Sequence, residues 1–139
     1  MKKLNSILLI DDDNASNFLH RLIIQSIDCA DHIKICTSAQ KGLDYLKQNS
    51  DEEFIQPDLI FLDINMPGMN GWEFLEEYDK LSAEQKAKII IVMLSNSINP
   101  DDHIKAQNND LVTEFIGKPL TKETLILILK KYFNLNIEA

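Results

Sequence analysis

Short, nearly continuous apolar runs alternate along this chain with longer segments whose apolar positions recur every three or four residues. The runs are Ser6 to Ile10, about His32 to Cys36, Leu59 to Asp63, Ile89 to Leu94 and about Val112 to Ile116. Each has the length and branched composition of a strand. Between and after them lie helix-like stretches at about Asn14 to Ile27, Ala39 to Lys47, Trp72 to Leu81, Pro100 to Asn108 and Lys122 to Phe133. In the first, Ala15, Phe18, Leu19, Leu22 and Ser26 share one face. In the last, Leu125, Ile128, Leu129 and Tyr132 form the inward stripe, while Leu127 projects among Glu123, Lys130 and Lys131. Asn99 before Pro100 reads as an N-cap followed by proline in the first turn, Thr121 as the cap of the last helix, and Asp13 or Asn14 as that of the first. Asn49 to Asp58, with Pro57, and Ser82 to Lys88 read as polar connections.

Strands alternating with helices at this spacing predict an α/β fold, a five-stranded parallel sheet covered on both faces by five helices. A strand such as Leu59-Ile60-Phe61-Leu62, apolar at every position, belongs where both faces are buried. The expected strand order, 2-1-3-4-5, is borrowed from flavodoxin-like doubly wound sheets rather than deduced. The length of 139 residues suits one domain, 1–139, with no room for a second.

Polar residues collect where the strands end. Asp11 and Asp12 follow the first, Asp63 ends the third, Ser95 follows the fourth and Lys118 the fifth. In a parallel sheet those ends share one edge, the edge at which open α/β sheets bind ligands. If the first and third strands are neighbours, about 4.8 Å apart, three carboxylates crowd together. Their repulsion raises at least one pKa unless a cation neutralises them, and an all-oxygen cluster suits Mg²⁺. An aspartate beside such a metal can accept a phosphoryl group, with Lys118 and the Ser95 hydroxyl disposed toward its oxygens. The Met-Pro-Gly-Met-Asn-Gly segment that follows then bends away and leaves room for it.

Composition narrows the field. A net charge of −8 with scattered lysines argues against nucleic acid. No stretch has the length of a membrane span and the N-terminus lacks a secretory pattern, so a cytoplasmic protein with no membrane association is expected. Cys29 and Cys36 have no metal-ligand spacing and read as buried or idle thiols. His20, His32 and His103 stand at no ligand or catalytic spacing, and Trp72 reads more readily as packing than as a contact residue. Taken singly, Lys118 would be a surface lysine and Ser95 a turn residue.

The motifs "ILLIDDD", "LIFLDINMPGMNG", "IIIVMLSNS" and "FIGKPLT", in that order across nearly the whole chain, resemble the receiver domain of two-component response regulators. The resemblance implies a phosphorylation-activated signalling switch that catalyses only its own phosphorylation and dephosphorylation. It makes Asp63 the phosphoacceptor, Asp11 and Asp12 the acidic pair, with Asp12 touching Mg²⁺ directly and Asp11 through water, and the Asn65 backbone carbonyl a further metal contact. Ser95 matches the switch hydroxyl, Phe115 the switch aromatic and Lys118 the phosphate-sensing lysine, followed by a cis bond to Pro119. Asn96 stands where the family usually has a small residue. The implied partners are a histidine kinase or histidine phosphotransfer protein, a downstream protein target, and a second copy in a phosphorylation-dependent homodimer; no output domain is expected. A hydrolase of the haloacid dehalogenase type would call for Asp in place of Asn65, and a flavodoxin-like cofactor carrier for a hydroxyl-rich loop in place of the negative "DDDNAS".

Overall fold

The computed structural model describes residues 3–48, 54–86, 88–96 and 99–135. Five strands, β1 (Leu4–Ile10), β2 (Ala30–Cys36), β3 (Leu59–Asp63), β4 (Ile90–Ser95) and β5 (Glu114–Gly117), form one sheet in the order β2-β1-β3-β4-β5. Every pairing is parallel. The borrowed order therefore holds.

Each strand divides its residues between two cores. Ile7, Leu9, Leu59, Phe61, Val92 and Leu94 enter a cluster shared with helices α1 (Asn14–Ile27) and α6 (Lys122–Phe133). Their neighbours Leu8, Ile10, Ile60, Leu62, Ile91 and Met93 enter the opposite cluster, closed by α2 (Ala39–Leu46) and α3 (Gly71–Asp79). Successive strand residues point to opposite faces, so a strand with helices on both sides must be apolar throughout. This explains the unbroken run into Asp63.

Six helices are present among the described residues, not the expected five. The additional one, α4 (Ala83–Lys86), is a single turn inside the stretch read as a polar linker, ahead of α5 (Pro100–Gln107). Its cause is local. Ser82 Oγ accepts from the Gln85 N–H at 3.2 Å while Gln85 Oε1 accepts from the Ser82 N–H at 2.9 Å, a reciprocal cap around Ala-Glu-Gln-Lys. The Tyr78 hydroxyl then holds the Lys86 carbonyl at 3.3 Å. The other expected caps, Asp13, Asn99 and Thr121, all form.

The face of α1 read from its periodicity lies outward: Phe18 is 66% exposed, Leu19 42% and Leu22 47%. What α1 buries instead is Asn17, His20 and Ile24. Helix α6 follows expectation, with Leu125, Ile128 and Leu129 buried, Tyr132 half-buried and Leu127 exposed. Cys29 and Cys36 are buried free thiols, and burial pushes the Cys29 thiol up to about 11. No helix among the described residues is long and apolar enough to cross a membrane.

The turn out of β3 is built on glycine. Gly68 has φ 78°, a left-handed conformation open to glycine without a β-carbon clash. Gly71, whose N–H donates to the Ile64 carbonyl at 2.8 Å, starts α3 directly against β3. A β-carbon there would stand 2.6 Å from the Asp63 carbonyl oxygen and 2.9 Å from the Ile64 Cα. Backbone atoms cannot step aside, so Gly71→Ala should cost about 1–3 kcal/mol in urea unfolding. Gly42→Ala, whose β-carbon would meet the movable Ile10 methyl at 2.6 Å, should cost less. Equal midpoints for wild type and Gly71→Ala would refute the close packing of α3 on β3.

Candidate functional site

Asp11 follows β1 and Asp63 ends β3, both in step with the residues of the α1 and α6 face. Lys118 follows β5, one residue beyond Gly117, and its N–H continues the sheet by donating to the Ser95 carbonyl at 2.9 Å. The three side chains meet at the sheet edge. Lys118 Nζ lies 2.6 Å from Asp11 Oδ2 and 3.3 Å from Asp63 Oδ1, and all three side chains are at most 8% exposed. The second Asp11 oxygen accepts from the Asp13 N–H at 2.9 Å, so both oxygens of that carboxylate have protein partners. Asp12 is exposed.

One carboxylate oxygen from each of Asp11, Asp12 and Asp63 lies within 4.8 Å of the other two. Octahedral Mg²⁺ with metal–oxygen bonds near 2.1 Å places its ligands roughly 3 to 4 Å apart, so small side-chain adjustments would close this set. The donors are all hard oxygens, the type Mg²⁺ prefers over nitrogen or sulfur. Burial, and after it the Asp11 charge, push the Asp63 carboxyl up to about 6 even though Lys118 pulls it down. The cluster thus holds more negative charge than one lysine offsets. Burial lowers the Lys118 pKa, and its bonds to Asp11 and Asp63 more than restore it, leaving the ammonium above its ordinary value.

The remaining expected residues stand around this centre. Ser95 ends β4 and is buried, in the strand next to β3, with Asp63 opposite Leu94. Asn65 lies in the exposed turn two residues beyond Asp63, and Asn96 is exposed beside Ser95. Phe115 is half-buried in β5, its ring 4.4 Å from the His103 imidazole of α5. The Lys118-Pro119 bond is cis, as expected. Trp72 is half-buried and its Nε1–H donates to Asp102 at 3.2 Å, which makes it a packing residue with a polar anchor.

Two site neighbours were not legible in the sequence. Asn17 Nδ2 donates to the Asp11 carbonyl at 2.8 Å, and His20 Nε2 accepts from the Leu120 N–H at 3.3 Å. Both line the same closed space as Asp11 and Asp63. Their spacing, three residues apart and continued by Ile24, was a signal that the apolar stripe beside it obscured.

The raised Asp63 pKa has a consequence for stability. A carboxyl whose folded pKa exceeds its unfolded value stabilises the fold below about pH 3.8 and loses that contribution as pH rises through about 6. His20, whose pKa burial lowers, acts in the opposite sense, so the comparison with Asp63→Asn isolates the aspartate. In chelator, wild type should lose on the order of 3 kcal/mol relative to Asp63→Asn between pH 4 and pH 7. Urea unfolding at stepped pH measures it. Parallel curves for the two proteins would contradict the crowding of charge.

Comparison with known proteins agrees with this geometry. Residues 7–130 match the family model of the response regulator receiver domain. A two-component response regulator from Cytophaga hutchinsonii has a crystal structure that superimposes with a TM-score of 0.86 at 36% identity, over 96% of this chain and 100% of that one. A receiver protein from Dyadobacter fermentans DSM 18053 follows at 0.79 and 29%, over 92% and 97%. The protein-glutamate methylesterase/protein-glutamine glutaminase of Treponema pallidum (strain Nichols) is 33% identical over 129 residues, 89% of this chain. The chain spans only 29% of the length of that relative. With matched residues, strand order and acidic edge in agreement, the chain belongs to the response regulator receiver domain family: it is a signalling switch worked by aspartyl phosphorylation with Mg²⁺ as cofactor.

Proposed function

We propose that Asp63 is the aspartate phosphorylated, by a phosphohistidine of a histidine kinase or phosphotransfer protein. The observation that carries this reading is the position of Asp63 at a strand end, 3.3 Å from the Lys118 ammonium and within 4.8 Å of the Asp11 and Asp12 oxygens. An Asp63 oxygen attacks phosphorus as the phosphorus–nitrogen bond to the donor imidazole breaks, and a proton from solvent restores the neutral imidazole. Lys118 neutralises one of the phosphoryl oxygens, and the Ser95 hydroxyl donates to another. Asp12, Asp63 and the Asn65 carbonyl would hold Mg²⁺ directly and Asp11 through water, and the ion would supply charge neutralisation at the transferring group. The small phosphodonor acetyl phosphate should label wild type on Asp63 only with Mg²⁺ present. By mass spectrometry, a phosphoryl group on Asp63→Ala, or in chelator, would overturn the assignment.

The surface favours two protein contacts. Helix α1 begins three residues beyond Asp11, so a partner that delivers a phosphoryl group to Asp63 also covers the exposed Phe18, Leu19 and Leu22. Leu127, 66% exposed on α6, lies on a separate helix and is read as a contact for the downstream target or for a second copy. On β5, Phe115 would exchange its present contact with His103 for a more buried position on phosphorylation. Leu22→Glu should lower phosphotransfer from a kinase by tenfold or more, about 1.4 kcal/mol, and leave labelling by acetyl phosphate unchanged. Leu127→Glu should leave both routes intact and weaken phosphorylation-dependent self-association or target capture. Loss of labelling from both donors in Leu22→Glu would remove the docking role, and wild-type association of Leu127→Glu would remove the other.

A further inference from the structure

The buried face of α1 is polar where it meets the site. Asn17 and His20 are each 2% exposed, in a helix that has Phe18, Leu19 and Leu22 available for burial and leaves them in solvent. Burial of this kind is costly. Asn17 Oδ1 is buried without a hydrogen-bond partner, and the imidazole of His20 is desolvated. Leucine at either position would remove that cost and add apolar area. A compensating role has to come from the bonds these side chains make.

Those bonds go to the two chain segments that bear the charged groups. Asn17 Nδ2 holds the Asp11 carbonyl at 2.8 Å, in the turn that carries Asp11 and Asp12. His20 Nε2 accepts from the Leu120 N–H at 3.3 Å, two residues beyond Lys118 and 100 residues away in sequence. A backbone N–H can only donate, so Nε2 carries no proton and the ring is neutral, with its hydrogen on Nδ1. Burial and the neighbouring Lys118 charge both favour that neutral form. Leu120 itself is 1% exposed, so without His20 its N–H would be buried with no acceptor.

We infer that His20 is a positioning residue for Lys118: from α1 it fixes the loop after β5, and with Asn17 it sets the lysine against the acidic pair and Asp63. Helix α1 is thereby a brace between two segments that the sheet alone joins only through β1, β3, β4 and β5. The 2.6 Å contact of Lys118 with Asp11 and the 3.3 Å contact with Asp63 both depend on the relation of these segments. The inference rests on the phosphoacceptor assignment above only for its effect on rate. The bond itself can be tested separately.

Three variants of the full chain distinguish this role from mere packing. The Gln side chain can place an oxygen near the position of Nε2, Asn reaches only as far as Nδ1, and Leu offers no acceptor. With acetyl phosphate and Mg²⁺, His20→Gln should phosphorylate within about threefold of wild type, while His20→Leu and His20→Asn should lose on the order of tenfold. Mg²⁺ affinity by calorimetry should change by less than about twofold in all three, because the metal ligands are untouched. Amide exchange at Leu120 should quicken in the Leu and Asn variants and stay slow in Gln. Should the Leu variant fail to fold, the comparison of Gln with Asn, both polar, decides alone. Equal rates and equal Leu120 exchange in Gln and Asn would overturn the inference. If wild type itself is not labelled on Asp63, the phosphoacceptor assignment fails, whereas the Leu120 exchange still tests the bond.

Discussion

Like charge confined to a small buried space is the condition to which the rest of this molecule is fitted. Asp11 and Asp63 are drawn together by the pairing of β1 with β3, and Asp12 adds its carboxylate at the rim. Among the described residues Lys118 is the one cation bonded within that group, and it leaves a net of two negative charges when all three carboxylates are ionised. A divalent cation cancels that remainder. The raised Asp63 pKa is the cost of the same arrangement expressed as proton affinity.

The fold creates this condition and also contains it. A parallel sheet brings every strand end to one edge, and the alternation of side chains then sorts them by face. Asp11, Asp63 and Lys118 continue the phase of Leu9, Phe61 and Ile116, which face α1 and α6. Ser95 and Phe115 share the phase of Met93, on the side of α2 and α3. A switch at this edge therefore has a charged side, braced by α1, and a side occupied by the hydroxyl and the aromatic ring. Ser95 stands on the strand next to that of Asp63, and Phe115 one strand further on, so both lie within two strand spacings of the charged group.

The sequence made the sheet legible because burial on both faces leaves no other pattern for Leu59 to Leu62, and it made the edge legible because charged residues stop those runs so abruptly. The short helix at Ala83–Lys86 escaped because the reciprocal cap of Ser82 and Gln85 is a local signal inside a polar stretch, where hydrophobic periodicity has nothing to report. The α1 face was misleading for another reason. Two stripes compete on that helix, Phe18, Leu19 and Leu22 against Ile23, Ile24 and Ile27, and the winning one contains Asn17 and His20. Only the partners of those two side chains, the Asp11 carbonyl and the Leu120 N–H, make their burial intelligible, and both lie on other elements. Ser97, the last residue of the motif "IIIVMLSNS", lies outside the described residues.

Under the proposed assignment Lys118 links the charge of the site to switching. It is bonded more closely to Asp11 than to Asp63, and Asp11 is in turn held by the Asp13 N–H, so the lysine rests on a carboxylate that is itself immobilised. Under the proposed assignment, phosphorylation replaces the single charge of Asp63 with one nearer two and places it on outward oxygens. The balance of attraction on Lys118 then moves toward Asp63, while Asp11 gains freedom only as far as its backbone bonds allow. Because the loop after Lys118 is tied to α1 at Leu120, the lysine would on that assignment respond by turning its side chain rather than by carrying the loop with it. On that assignment, a fixed backbone with a movable charge would let a small change at one carboxylate be passed to β5 and Phe115 as a choice between two arrangements, instead of being absorbed by local relaxation.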